Sequence, residues 1–305
     1  MGEVELFLDS GAPTLYNRWA RAYKGKSSMG AALRNRRDNH EYAKSKEFLS
    51  YRDFYVQYIK KHADFIDHYV NMDIINNAEA TWRNQKWMEK QGLSPVPVWH
   101  FGTDEEWLQR YIDEGYDYIA MGGLIPNHVC TLVPALDRIW RSRLTDSEGS
   151  PRVKVHGFAL TSHILITRYP WYSVDSSAWM KVCGYGAIYV PPRRDGKWDW
   201  SGKPVIYTIS KHGRAKGAKI GRTGPAFYKA VLDLVTSHGF KLGKSRLKRV
   251  RRKGKIRMIE RVSEEGIETS HVVRAIWNQY YVHKFMETLP EWPWSFTEPR
   301  RGLGI

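Results

Sequence analysis

The segment VPVWHFGTDEEWLQRYIDEGYDYIAMGGL, residues 96–124, sets the fold class. It opens with a short apolar run at 96–102 and ends with another at 116–124. Between them, residues 104–115 begin with acidic side chains and end in glycine, which is typical of an amphipathic helix. A strand, a helix and a second strand of these lengths predict one parallel β/α unit.

The same alternation continues on both sides of this segment. It predicts strands at 4–11, 67–73, 152–160 and 171–179, and helices that begin near 50 and span 78–92, 127–146 and 161–170. A barrel and a doubly wound sheet both fit this order, but no GxGxxG motif opens a helix. We therefore predict an α/β fold, a TIM-like (β/α) barrel that is either incomplete or irregularly closed.

Two domains are predicted, a barrel over residues 1–210 and an extension over 211–305. Segment 184–210 has the pattern of two strands joined by a loop rich in Pro and Gly, and these strands are expected to close the barrel if it closes. The extension is basic and contains helices near 225–238 and 272–289. In the helix that begins near 50, Phe54, Tyr58 and Ile59 share one face at helical spacing.

The charge of the chain indicates its partners. The net charge is +16, and residues 241–257 hold ten Lys or Arg and no acid. Smaller basic groups lie at 211–222 and 34–37, and the chain has 13 Trp and 18 Tyr. Basic clusters with aromatic side chains favour nucleic-acid binding over a merely solvated basic surface. The residues expected to hold phosphates are Lys244, Arg246, Lys248, Arg249, Arg251, Arg252 and Lys253.

Other sequence features indicate where in the cell the protein is located. The two cysteines, Cys130 and Cys183, rule out a disulfide framework and are expected to be buried thiols. There is no apolar stretch of transmembrane length and no signal-peptide pattern at the N-terminus. The expected location is the cytoplasm, or the host cytoplasm for a phage protein, with no membrane partner.

Polar residues or glycines end nearly every predicted strand. A (β/α) barrel keeps its active site at this end of its strands, although Asp and Gly also simply begin loops. Two carboxylates at one barrel face, Asp9 and Asp175, could serve as general acid/base and nucleophile at an anomeric carbon. The strand-end positions are Asp9, Asp73, His100, Gly122, Gly123, His156 and Asp175.

Five short motifs occur in the order found in one enzyme family. They are Asp9-Ser10-Gly11, similar to a DSGG signature; the NMD that ends in Asp73; Ala120-Met121-Gly122-Gly123-Leu124, similar to A-x-GGL; Val155-His156-Gly157-Phe158; and Tyr172-Ser173-Val174-Asp175. On these motifs, residues 4–180 resemble the tRNA-guanine transglycosylase superfamily. The basic C-terminal part and the missing zinc motif make the chain similar to the phage and bacterial DNA-guanine transglycosylases.

The resemblance implies a specific activity. Such enzymes exchange guanine in DNA for a 7-deazaguanine base, such as preQ0, through a covalent glycosyl-enzyme intermediate. Asp175 would be the nucleophile and Asp9 the general acid/base, with the 7-deazaguanine as co-substrate and no other cofactor. Homodimers are usual in the superfamily, but no interface signal is visible here. The base-binding residues implied are Asp73, Ser10, His100, Gly122, Gly123, His156 and Phe158.

The chain departs from the family pattern at three points. The zinc motif CxCxxC is absent, so no structural zinc is expected. His100 stands where the family has a base-reading Gln, and it could replace that residue or merely pack. Pro13 replaces the aromatic residue that stacks on the base, and Tyr16 is a candidate to cover that face instead.

Three other functions fit parts of the sequence. The same exchange on tRNA is equally compatible with the basic run. A non-catalytic nucleic-acid-binding subunit would have no need of both Asp9 and Asp175. A glycoside hydrolase acting on sugars would have no need of ten clustered basic residues.

Overall fold

The computed structural model describes residues 5–24, 36–125, 127–210, 218–219, 224–252 and 255–297. The protein is a mixed α/β structure that divides into two compact units. The first unit comprises Met1–Asp175 and Trp292–Ile305, and the second comprises Ser176–Glu291. The division therefore falls directly after Asp175, earlier in the chain than the boundary at residue 210 that the sequence predicted.

The first unit contains six short parallel strands, one in each predicted strand segment. Their order in space follows their order in the chain: β1 pairs with β2, a bridge from Val70 to Val96 continues to the next strand, and β3, β4, β5 and β6 pair in turn. The strands are β1 Phe7–Leu8, β2 His68–Tyr69, β3 Val98–His100, β4 Tyr118–Gly122, β5 Lys154–Gly157 and β6 Ser173–Val174.

Helices connect these strands, as a parallel arrangement requires. Several begin at side-chain caps: Ser45 accepts from the amide of Phe48, and Asn77 accepts from the amide of Ala80. The helices are α1 Ala12–Lys24, α2 Arg36–Ala43, α3 Lys46–Lys61, α4 Ala78–Lys90, α5 Glu106–Asp113, α6 Val129–Ile139, which runs on into a π-helical turn at Trp140–Leu144, and α7 His163–Arg168.

Both faces of the sheet are buried, because successive strand side chains point to opposite sides. Trp99 and Met121 pack in the core that includes residues of α5, α6 and α7. Their strand neighbours Val98 and Ala120 lie in a separate cluster with Val70. The near-continuous apolar runs in the sequence reflect this burial on two sides.

The sheet is strongly curved. The ring of Phe7 on β1 stacks on the ring of His156 on β5, with centroids 4.5 Å apart and planes 18° from parallel. In a flat sheet, four strand spacings of about 4.8 Å would separate these strands by about 19 Å. The inner face therefore curls toward itself, although no pairing joins β6 to β1 within the described ranges.

The second unit is built on a different plan. Strand β10 pairs antiparallel with β7 and parallel with β11, while β8–β9 and β12–β13 form separate antiparallel pairs. Its elements are α8 Ala178–Gly184, β7 Ala187–Val190, β8 Arg193–Arg194, β9 Lys197–Trp198, β10 Val205–Thr208, β11 Ala218–Lys219, α9 Pro225–Ser237, β12 Lys244–Arg252, β13 Lys255–Glu264 and α10 His271–Met286.

The strands found in segment 184–210 explain the position of the boundary. Ile188 of β7 and Tyr207 of β10 share a core with Val231 of α9 and Trp277 of α10. The indole of Trp277 also donates to the carbonyl of Tyr189, at 2.7 Å. The segment holds four strands where the sequence predicted two, because β8 and β9 form a hairpin within the predicted loop. In the described residues, β7 and β10 form a sheet of their own with β11 instead of pairing with β6 or β1.

Two further expectations concern single residues and the membrane. Cys183 is buried as predicted, but Cys130 is exposed near the start of α6, so the expectation of two buried thiols was wrong for it. Across the described ranges, no helix combines the length and the apolar character needed to cross a bilayer.

Candidate active site

The predicted strand-end residues of the first unit lie at one edge of the sheet. Parallel pairing brings the carboxyl ends of neighbouring strands together. Ser10 and Asp73 follow β1 and β2, and they are joined by a hydrogen bond of 2.9 Å. At the other end of the strand order, His156 of β5 faces Asp175, which directly follows β6.

Asp73 is the buried centre of the first group. The hydroxyl of Ser10 donates to its Oδ1, and Nε2 of His100 lies 2.9 Å from its Oδ2. The same hydroxyl of Ser10 accepts from the amide of Ala12, at 3.2 Å. Both carboxylate oxygens of Asp73 thus have protein partners, and the ends of β1, β2 and β3 are tied together. The imidazole of His100 therefore forms a hydrogen bond with Asp73 in the protein itself.

Two glycines make room for this arrangement. A Cβ on Gly122 would lie 2.9 Å from Cδ2 of His100, so any side chain here would displace the imidazole. Gly123 has a φ of +76°, and a Cβ on it would meet the carbonyl of Phe101. The carbonyl of Gly122 accepts from the amide of Phe101 and that of Gly123 from the side chain of Asn127. The GG motif therefore has a packing role, in addition to the base contact that the resemblance implies.

Asp175 is an exposed carboxylate held from one side. The amide of Ala159 donates to its Oδ1 at 2.6 Å, and Nε2 of His156 lies 3.6 Å from the same oxygen. Partial burial acts to raise the pKa of Asp175, but His156 and the amide of Ala159 outweigh it, and the net pKa lies below the usual value. Asp175 is therefore ionised at neutral pH, as a nucleophile must be.

His156 is fixed in place on several sides. Its Nδ1 lies 2.6 Å from the hydroxyl of Ser173, which in turn lies 2.7 Å from the hydroxyl of Tyr118. Phe7 stacks on the ring, and Phe158 packs edge-on at a centroid distance of 4.7 Å. Nε2 is buried and has no hydrogen-bond partner in the described part of the chain. This nitrogen faces Asp175, so the imidazole is positioned to act on that carboxylate.

Asp9 has the opposite electrostatic character. The residue is open to solvent, but partial desolvation raises its pKa, and the negative charges of Asp73 and Asp175 raise it further. The amides of Gly11 and Ser10 oppose the rise without cancelling it. Asp9 follows β1, at the same edge of the sheet as Asp73 and Asp175. It retains its proton to a higher pH than an ordinary aspartate.

Two tyrosines near Asp9 were missed by the sequence reasoning. Burial raises the pKa of Tyr51, and the charge of Asp9 raises it further. The hydroxyl of Tyr55 lies 3.1 Å from the carbonyl of Val70 and 3.3 Å from that of Leu8, at the ends of β2 and β1. The helical spacing of Phe54, Tyr58 and Ile59 had indicated a different buried face for α3, one that does not include Tyr55.

The structure corrects that helix face and one candidate for base stacking. On α3, Phe54 and Tyr58 are exposed, while Tyr55, Val56 and Ile59 are buried. Tyr16 is 2% exposed and packs against the rings of Trp19 and Tyr42 in a core cluster. It is a core side chain and does not cover a base-binding face.

The predicted phosphate-binding residues belong to the second unit. Lys244, Arg246, Lys248 and Arg249 are exposed residues of β12, and Lys244 forms an ion pair with Glu264 at 3.2 Å. Arg251 and Arg252 are also β12 residues, but their side chains lie outside the described part of the structure. Lys253 lies outside the described residues altogether.

The site was also compared with possible metal centres and with known proteins. No group of three His, Cys, Asp or Glu side chains in the described ranges could hold a metal ion. Comparisons of the chain with family models, with characterised proteins and with solved structures found no match.

Proposed function

We propose that this protein is a transglycosylase that exchanges guanine in DNA for a 7-deazaguanine base of the preQ0 type. The observation that carries the proposal is the position of Asp9 and Asp175 directly after β1 and β6, in a sheet so curled that Phe7 of β1 stacks on His156 of β5. The two carboxyl pKa values are shifted in opposite directions, lowered at Asp175 and raised at Asp9. Such a pair separates a nucleophile from a general acid/base at one centre. In this proposal the curled six-stranded sheet is an incomplete TIM-like barrel, with its reactive groups at the carboxyl ends of the strands.

The first half of the reaction removes guanine. The target nucleotide leaves the base stack, since chemistry at its sugar is otherwise blocked. An oxygen of Asp175 attacks C1′ of the deoxyribose while the bond from C1′ to N9 breaks. Asp9 donates its proton to the departing guanine. The product of this step is a covalent ester between Asp175 and the sugar.

The second half reverses these roles. A 7-deazaguanine enters the space left by guanine, and the Asp9 carboxylate accepts its N9 proton. N9 then forms a bond to C1′ as the ester bond to Asp175 breaks. Two displacements at C1′ give net retention of configuration. Asp73, held by Ser10 and His100, and the strand end at Gly122–Gly123 are proposed to receive the polar edge of the base.

The decisive experiment is mass spectrometry of nucleosides from DNA incubated with the protein and preQ0. The wild type should produce the 7-deazaguanine nucleoside, and denatured protein from a reaction without incoming base should carry the covalent sugar adduct. Asp175→Asn should abolish both products. Asp64→Asn, an exposed aspartate next to α3, is the matched control and should leave both intact.

The same assay distinguishes the rival functions. Parallel reactions with tRNA decide between the two polynucleotides, because the proposed chemistry is the same on either. Exchange that persists in Asp175→Asn would remove Asp175 from the nucleophile role. Binding without exchange on any substrate would favour the non-catalytic nucleic-acid-binding subunit.

A further inference from the structure

The basic run of the sequence folds into a two-stranded antiparallel ribbon, which we name the basic ribbon. It consists of β12 and β13, with Arg246 opposite Arg261 and Lys248 opposite Ile259. β12 has nine residues and β13 has ten, which corresponds to a length of about 30 Å. The basic ribbon is a regular element, whereas the sequence indicated only a charged run.

Repulsion between neighbouring cations destabilises the basic ribbon. The exposed side chains of Arg246 and Arg261 occupy directly opposed positions, and like charges so placed repel. A two-stranded ribbon is in any case only marginally stable in water. No ion pair involves Arg246, Lys248, Arg249 or Arg261 in the described part of the chain. A polyanion would relieve this repulsion, since it supplies the missing negative charge.

Acidic and apolar side chains complete the surface. Of the acids, Glu264 pairs with Lys244, and Glu260 accepts from the hydroxyl of Ser245. Three apolar residues are partly exposed to solvent: Leu247 is 47% exposed, Ile259 37% and Val262 46%. A surface that joins cations with accessible aliphatic groups suits a nucleic-acid groove, where phosphates flank base edges and thymine methyl groups.

We propose that the basic ribbon lies in the major groove of double-stranded DNA. The B-form major groove is about 12 Å wide and admits a two-stranded β-ribbon. The major groove of A-form RNA is deep and narrow, so side chains do not reach its base edges. The inference deepens the proposed function by selecting duplex DNA over tRNA, and it rests on that function only for what happens to the DNA after binding.

The first test needs only the wild-type protein. Its affinity is measured by fluorescence anisotropy for a duplex DNA, a duplex RNA of the same sequence and the corresponding single-stranded DNA. Duplex DNA should bind roughly 10-fold or more tightly than duplex RNA at equal salt. Netropsin, which fills the minor groove, should leave the affinity unchanged. Equal affinity for both duplexes, or displacement by netropsin, would overturn the proposal.

The second test removes the charges. In the triple variant Arg246→Gln, Lys248→Gln, Arg261→Gln, the slope of log affinity against log salt for duplex DNA should fall by about 0.9 for each phosphate that is no longer neutralised. The matched control is Lys46→Gln, Lys60→Gln, Lys61→Gln, which removes three exposed charges from α3 in the first unit. An equal decrease of slope in the control would show a general charge effect and contradict the proposal.

The two proposals fail in different ways. Because the triple variant relieves repulsion within the basic ribbon, it should fold, and circular dichroism checks this. Its base exchange on duplex DNA should fall together with its affinity for that duplex. If no variant and no substrate shows exchange but the preference for duplex DNA is present, the proposed chemistry fails and the basic ribbon assignment stands. The converse result, exchange with no duplex preference, removes only the ribbon assignment.

Discussion

Nε2 of His156 lies 3.6 Å from Oδ1 of Asp175, while its Nδ1 is held 2.6 Å from the hydroxyl of Ser173. The imidazole therefore has one nitrogen anchored in the protein and the other facing the carboxylate proposed as nucleophile. Since His156 is 3% exposed and stacked on Phe7, this orientation is fixed by packing as well as by hydrogen bonding.

Replacing His156 by alanine should raise the pKa of Asp175, because His156 helps to hold that pKa below its usual value. The lowered pKa keeps Asp175 ionised down to acidic pH, so the acid limb of the kcat/KM profile should move to higher pH in the variant. Misplacement of the carboxylate should also lower kcat by up to about 100-fold. Ser173→Ala, which frees Nδ1, should shift the limb in the same direction by less. An unchanged limb in both variants would show that His156 is only a packing residue.

Asp9→Asn should reduce exchange by about 100- to 10,000-fold, since the proposed general acid/base is removed. It should also stabilise the folded protein at neutral pH. A carboxyl whose folded pKa is raised adds stability at acidic pH, and that contribution disappears as pH rises through the raised pKa. The melting temperature of the variant should therefore exceed that of the wild type at pH 7, and the difference should vanish below the ordinary pKa of 3.8. A difference independent of pH would contradict the raised pKa.

Gly122→Ala should destabilise the first unit by about 1–3 kcal/mol through overpacking against His100. In a His100→Ala background, the same change should cost much less, because the clashing ring is gone. The coupling is measured as a double-mutant cycle by urea unfolding. Gly184→Ala is the control, since no atom lies within 4 Å of its added Cβ. Additive costs would mean that the glycine is required for another reason.

Two phenylalanines on α3 test which face of that helix is buried. Phe48 is 1% exposed and Phe54 is 60% exposed. Phe48→Ala should lower the free energy of unfolding by about 3–5 kcal/mol, and Phe54→Ala by about 0.5 kcal/mol or less. Chemical denaturation of both variants measures the contrast. Similar decreases would show that Phe54 has a buried partner in solution.

The sequence predicted the six strands of the first unit because each is a short apolar run bounded by polar loop residues. It also placed Asp9, Asp73 and Asp175 correctly after their strands, since parallel pairing leaves strand ends at a common edge. The helical pattern of α3 was ambiguous, because its exposed face carries aromatic side chains such as Phe54 and Tyr58.

The features that escaped prediction depend on long-range pairing. Ser10, Asp73 and His100 are far apart in the chain, so their hydrogen bonds have no local sequence signal. The boundary after Asp175 follows from the partners of β7 and β10, which a run of apolar residues does not specify. The basic ribbon has no clear alternation of apolar and polar residues, because exposed cations replace the expected apolar face.

The stacked rings of Phe7 and His156 come from β1 and β5, which are four strand spacings apart in the first unit's sheet. During synthesis, the imidazole of His156 cannot stack on Phe7 until most of the strands of that unit have left the ribosome. Contacts of such long sequence separation form slowly. A chain interrupted before β5 would therefore lack this ring contact, and we expect such a fragment to be degraded by cellular proteases instead of persisting as a partly folded protein.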